Sequence, residues 1–343
     1  ILLHNGETVH DVLDVKNTEQ VFEFHGLTSR PVPALLCDFS APVRLDYDYS
    51  TEQLITLLQF AENEFVRWDA MQMLLAEELR RNLFAYQEGK ELQISAQILT
   101  ALEQVLRNYR DNVELTTLIL TLPKETEFAE LFKIIDPDGI YVVRDFMQRT
   151  IAERLKELWL QTYKQIQLTE YRIDGKDIAL RGLRNLCLQY LAFTDIGNVL
   201  VNKHYLHADN MTDTLAALNA ACKAQLICRE NIMKDFEQKW QHDGLVMDKW
   251  FALQATRPDD NVLLNVQQLM DHPSFNFNNP NRVRALIGSF AAQNPKAFHA
   301  VNGAGYRFLT DILIRLNGSN PQVASRLIEP LIRFARYDGQ RQT

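Results

Sequence analysis

The sequence predicts a mainly α-helical protein, an α-solenoid of stacked helix pairs behind a short β segment. Three observations carry this. Apolar residues recur at helical spacing through most of the 343 residues. Proline, glycine and asparagine breaks recur at short intervals along them. No strand–helix alternation of the kind that builds a parallel sheet is present, so stacked helix pairs fit better than a bundle or an α/β fold. No strict repeat of a fixed length is visible, so any repetition is structural.

The first fifty residues read as β. Val43, Leu45, Tyr47 and Tyr49 alternate with Arg44, Asp46 and Asp48, a period-2 pattern with one apolar face. Val21-Phe22-Glu23-Phe24 is a second strand candidate, and Pro31 and Pro33 punctuate the stretch between. Two or three strands cannot bury a core alone, which implies partner strands outside the sequence. The opening Ile1-Leu2-Leu3-His4 has no initiator Met and no signal-peptide pattern, and reads as cut from something longer.

At Ser50 the period changes. Ser50 and Gln53 form a capping-box pattern ahead of Leu54, Leu57, Leu58 and Ala61. The boundaries expected are therefore 1–50 for the β segment and 51–343 for the helical region. Trp68, Met71, Leu75 and Leu79 make one apolar stripe; Ile94, Ile98, Ala101 and Val105 make another. Breaks fall at Pro123, Asp136-Pro137-Asp138-Gly139, Asp174-Gly175, Gly197, Gly244 and Asn276 to Asn281, giving roughly fourteen helices. Asp136 before Pro137 is an N-cap followed by an N1 proline. Pro330 falls inside an apolar pattern and predicts a kink or break there.

Composition excludes several classes. The longest apolar run, Leu115 to Leu122, is too short for a membrane span and is broken by threonines. The four cysteines, Cys37, Cys187, Cys222 and Cys228, match no zinc spacing and read as buried thiols. The net charge of −8 is uneven: residues 281–343 carry +6 and residues 1–280 carry −14. The last fifth should therefore face something anionic: a nucleic acid, a peptide carboxylate, or acidic surface elsewhere in the same protein. No RNA-binding signature accompanies Arg333-Phe334-Ala335-Arg336-Tyr337 and the chain is acidic overall, so neither a nucleic acid nor a membrane is an expected partner.

No complete catalytic or metal motif is present. None of the eight histidines is followed by Glu, so the H-E-x-x-H zinc helix is absent, as are the glycine-rich phosphate loops and G-x-S-x-G. His204, His207 and Asp209 are the most metal-like cluster, but two histidines with no third ligand fit a histidine-capped helix end better. Asp136-Pro137-Asp138-Gly139 lacks the third acidic position of a calcium loop. The C-terminal arginines carry more weight. Gln322, Arg326 and Arg333 fall within about 40° of one another on an ideal helix, and a guanidinium fork suits a carboxylate. The competing reading is a solvated basic face.

Several segments together resemble the bacterial aminopeptidase N family, the alanyl aminopeptidase branch of the gluzincin metallopeptidases. They are Pro31-Val-Pro-Ala-Leu-Leu-Cys-Asp-Phe-Ser-Ala-Pro-Val43, Asn63-Glu-Phe-Val-Arg-Trp-Asp-Ala70, Asp136 to Gly139, Val246-Met-Asp-Lys-Trp-Phe251, His272-Pro-Ser-Phe-Asn276, Pro280-Asn-Arg-Val-Arg284 and Asn320-Pro-Gln-Val-Ala-Ser-Arg-Leu-Ile-Glu-Pro330. They span nearly the whole chain in the family's order. The resemblance implies the end of an Ig-like β-sandwich over 1–50 and a HEAT-like helical lid domain over 51–343. That domain would stop short, since the family continues past the run matched by Arg336-Tyr337-Asp338. It also implies a cytoplasmic enzyme that removes N-terminal residues from peptides. The catalytic zinc would belong to the parent enzyme, with no cofactor in this chain.

In the family the helical domain is a bowl closing over the active site. Residues matching Arg284, Gln322 and Arg326 would face that cavity and meet the C-terminal side of the peptide. The implied partners are a peptide substrate and the catalytic domain of the same polypeptide, and the chain alone should be inactive. The rival from another class is a stand-alone HEAT-like scaffold binding a partner protein on a concave face. The orphan β segment counts against it.

Overall fold

The computed structural model describes residues 2–4, 7–168 and 170–342. The protein is mainly α-helical, with two compact units: residues 1–80 with 95–122, and residues 81–94 with 123–343.

In the first unit the strands Leu2–His4, Glu7–Val9 and Val32–Pro33 form an antiparallel sheet with the Leu2–His4 strand in the middle. The register pairs Leu2 with Val9 and Leu3 with Thr8 on one side, and Leu2 with Pro33 on the other. The two expected strands are corrected: neither 21–24 nor 43–49 is in a strand. The alternation at 43–49 supplies an apolar face, but no ladder partner exists for it among the described residues, and Val43 is 60% exposed.

The helical region starts at Thr51–Phe60 as the capping box requires. The Ser50 hydroxyl accepts from the Gln53 amide, and the Gln53 side chain accepts from the Ser50 amide. This helix buries Leu54, Leu57 and Leu58. Within Glu64–Gln87, Met71, Leu75 and Leu79 are buried and Trp68 is half-buried. The second stripe shifts by a position: Ala96–Arg107 buries Ile98, Ala101, Leu102 and Leu106, with Ile94 ahead of the helix and Val105 half-buried.

In the second unit each break starts or ends a helix. Asp136 Oδ1 accepts from the Gly139 amide at 2.8 Å and Pro137 takes the first helical position of Pro137–Arg154. Gly139 has no room for a side chain: a Cβ would stand 2.5 Å from both Asp136 Oδ2 and Leu83 Cδ1. Asp174 caps Gly175–Leu191, which packs on Lys156–Gln165 before it and on Met211–Lys223 after it. Trp159 and Tyr190, both fully buried, stack across the first of these contacts with centroids 4.4 Å apart. Arg229–Trp240 and Gly244–Ala255 pair next, followed by the π-helical turn Arg284–Gly288 against Gly244–Ala255. Sequential helices packing on their neighbours is the stacking of an α-solenoid.

The helical segments outnumber the roughly fourteen expected, because breaks leave pieces of four or five residues such as Pro280–Val283 and Pro295–Phe298. Pro330 breaks its helix as expected: Pro321–Leu327 ends, and a four-residue turn Glu329–Ile332 follows. Beyond it the chain returns to Ile135. The Ile135 amide donates to the Arg336 carbonyl at 2.6 Å, and the Asp338 amide donates to the Ile135 carbonyl at 3.0 Å. Cys187, Cys222 and Cys228 are buried and free; Cys37 is only half-buried, which corrects one of the four.

Candidate functional site

Arg284, Gln322 and Arg326 all reach the surface of the second unit. Asn279 caps Pro280–Val283 through its side chain, and the π-helical turn continues directly from that helix. Val283, Leu286 and Ile287 face inward, which turns Arg284 outward. Its guanidinium Nη1 donates to Asn281 Oδ1 at 2.9 Å. In Pro321–Leu327, Asn320 caps, Val323, Ala324 and Leu327 are buried, and Gln322 and Arg326 share the outer face at i and i+4. The two helices meet where Gly288 lies against Leu327. A Cβ on Gly288 would stand 3.3 Å from Leu327 Cδ2 and 3.7 Å from the Arg284 Cβ. The arginines of the pair thus come from neighbouring turns.

Arg333 does not join them. The helix breaks before it, and Arg333 and Arg336 both bind Glu130, at 2.8 and 2.7 Å. Paired guanidinium groups, Arg336 foremost, hold the Glu130 carboxyl below the usual carboxylate range. Much of the remaining basic excess is also met within the chain. Arg341 pairs with Asp138 and Asp338, Lys296 with Asp260 at 3.6 Å, and Arg282 with Asp248 at 3.2 Å. Of the three anionic partners considered, acidic surface in the same chain accounts for these.

Sequence reasoning missed the buried charges. Arg282, 5% exposed, donates to the Gly244 carbonyl and lies over the Phe251 ring. Arg181, also buried, lies over the Tyr171 ring at 4.7 Å. The available signal was an arginine at an inward phase of an apolar helix. His204 and His207 diverge: His204 is buried and bonded to the Tyr163 hydroxyl at 2.8 Å, whereas His207 is exposed and bonded to the Lys203 carbonyl. Asn210 caps the next helix.

Among the described residues no group of three or more His, Cys, Asp or Glu side chains is placed to hold a metal ion. No helix among them is long and apolar enough to cross a membrane.

Two family profiles match the sequence. Residues 51–343 match a domain of unknown function with ARM repeats, DUF3458_C, and residues 1–48 match a domain of unknown function with an Ig-like fold, DUF3458. Aminopeptidase N of Haemophilus influenzae is 68% identical over 343 residues, which are 100% of this chain and 40% of that protein. Aminopeptidase N of Escherichia coli is 50% identical over 99% of this chain and 39% of its own length. Among solved structures, the crystal structure of Legionella pneumophila aminopeptidase A in complex with aspartic acid aligns with a TM-score of 0.88 and 30% identity. The alignment covers 99% of this chain and 41% of that one. The chain thus spans about two fifths of the proteins it matches.

Proposed function

The chain belongs to the DUF3458_C family and corresponds to the C-terminal part of aminopeptidase N, and from that premise we propose that it is the substrate-chamber region of a zinc-dependent aminopeptidase. The observation that carries the reading is similarity to aminopeptidase N that runs without interruption from one end of this sequence to the other. In this reading the Ig-like segment and helical lid cover a catalytic domain supplied by the rest of the polypeptide. That domain would hold the zinc, which polarises a scissile carbonyl and activates water when bound. Arg284, Gln322 and Arg326 receive the C-terminal side of the peptide, and the enzyme works in the cytoplasm.

The chemistry of the three side chains supports this role. Two guanidinium groups on adjoining turns offer charge-assisted hydrogen bonds to a carboxylate, and the Gln322 amide offers one more donor beside Arg326. The test replaces the matching segment of Haemophilus influenzae aminopeptidase N with this chain and introduces Arg284→Gln with Arg326→Gln. KM should rise about tenfold for a tripeptide with a free C-terminal carboxylate and stay unchanged for its amide, as loss of charge-assisted bonds predicts. Equal effects on both peptides would remove the three residues from the reading.

A further inference from the structure

The second unit holds a polar pocket of ≈ 180 Å³, away from the arginine pair described above. Its inner wall comes from three consecutive helices. Arg181 and Arg184 are three residues apart on Gly175–Leu191, His204 comes from Gly197–His207, and Asp213 comes from the first turn of Met211–Lys223. Arg181, His204 and Asp213 are each at most 5% exposed.

The hydrogen bonds in this wall do not close. The two Asp213 oxygens accept from the side-chain amides of Asn185 and Asn210, at 2.9 and 3.0 Å. Arg181 Nε is 3.9 Å from Asp213 Oδ2, beyond hydrogen-bond distance. Arg184 lies over the Tyr163 ring at 5.0 Å. The Tyr163 hydroxyl is 2.8 Å from His204 Nδ1, so it can donate there and leave the proton of a neutral imidazole on Nε2. Burial first, then the Arg184 charge, lower the His204 pKa to about 4, so the ring is neutral near pH 7. Arg181 Nε, Arg184 Nε and His204 Nε2 then stand buried without a partner, three donors against one unpartnered acceptor on the same helix as the arginines, Asn185 Oδ1. Two guanidinium groups against one carboxylate leave the inner wall with one uncompensated positive charge. The acidic residues at the mouth do not cancel it at depth: Glu170 is exposed and paired with Arg172, and Asp209 is exposed and bonded by Asn210.

We propose that this pocket binds a small carboxylate, held by the paired guanidinium groups of Arg181 and Arg184 with the His204 ring N–H as a third donor. One carboxylate supplies the missing acceptors and brings the wall to neutrality. A phosphate would bring surplus negative charge beside Asp213 and fits less well.

The test is a titration of the full chain, labelled with ¹³C in its histidine rings, followed by NMR at constant ionic strength. The probes are N-acetylglycine, its neutral amide, inorganic phosphate and chloride, and His204→Gln assigns the signal. The His204 resonance should shift saturably with N-acetylglycine and stay still with the amide and with chloride. Arg184→Gln, at a half-buried position, should weaken that response at least tenfold. The titration of the unaltered chain stands whether or not the variant folds. A His204 signal that moves equally with chloride, or that is unaffected by N-acetylglycine, overturns the proposal. So does a response to phosphate alone, which would make this a phosphate site, and so does an undiminished response in a folded Arg184→Gln chain.

Discussion

Arg282 and Arg284 are two residues apart and indistinguishable as letters, yet one is buried and the other exposed. Helical phase decides it, and the phase is set by Val283, Leu286 and Ile287 turning inward. A run this short, opening into a π-helical turn, does not disclose its phase in advance. The buried Arg282 depends on Asp248, so Asp248→Ala should cost about 3 kcal/mol in urea unfolding by stranding a buried charge. A loss below about 0.5 kcal/mol would place the pair with exposed ion pairs of little worth. Two buried histidines give a pH dependence. Burial lowers His204 to about 4 and His299 to about 3, the latter helped by Arg341, against an ordinary value of 6.5. The unfolded chain binds these protons more readily, so their contribution is whole above pH 6.5 and is lost as pH falls toward the folded values. The loss is on the order of 3 kcal/mol each by pH 4. Stability should therefore fall between pH 7 and 5, and His204→Gln with His299→Gln should flatten the decline. An unchanged slope in the double variant would contradict the assignment.

Helix ends were the most legible elements, because caps are written in neighbouring residues. Ser50 with Gln53, Asp136 with Pro137, and Pro330 each did locally what its chemistry dictates. Ser50→Ala should lower stability by about 1 kcal/mol, and Ser50→Gly by only a few tenths. Differential scanning calorimetry reads both, and an unchanged midpoint for Ser50→Ala would show that the box contributes nothing. Strands were less legible, since a strand is a property of a pair. The alternation at 43–49 has no partner, whereas Leu2–His4 and Glu7–Val9 pair without showing a strong pattern of their own.

On the scale of the whole molecule, the change from period 2 to period 3.6 near Ser50 marks where the helices begin, at Thr51, although the period-2 stretch before it forms no strand. The family profiles divide the sequence at 48 and 51. The C-terminal basic excess was visible as a charge count, but its partners were not, because Glu130 and Arg333 lie 203 residues apart in sequence. Folding back onto residues 129–138 absorbs Arg333, Arg336 and Arg341 and leaves Arg284 and Arg326 at the surface. In the proposed reading the catalytic domain is supplied by the rest of the polypeptide, so the chain by itself should show no amide cleavage above a protein-free control. The decisive measurement is the peptidase rate of Haemophilus influenzae aminopeptidase N carrying this chain in place of its own matching segment. A rate within about tenfold of the unaltered enzyme, a barrier change of about 1.4 kcal/mol, is the predicted result. A chimera that folds and cleaves nothing would contradict the proposal that this chain is the chamber of such an enzyme.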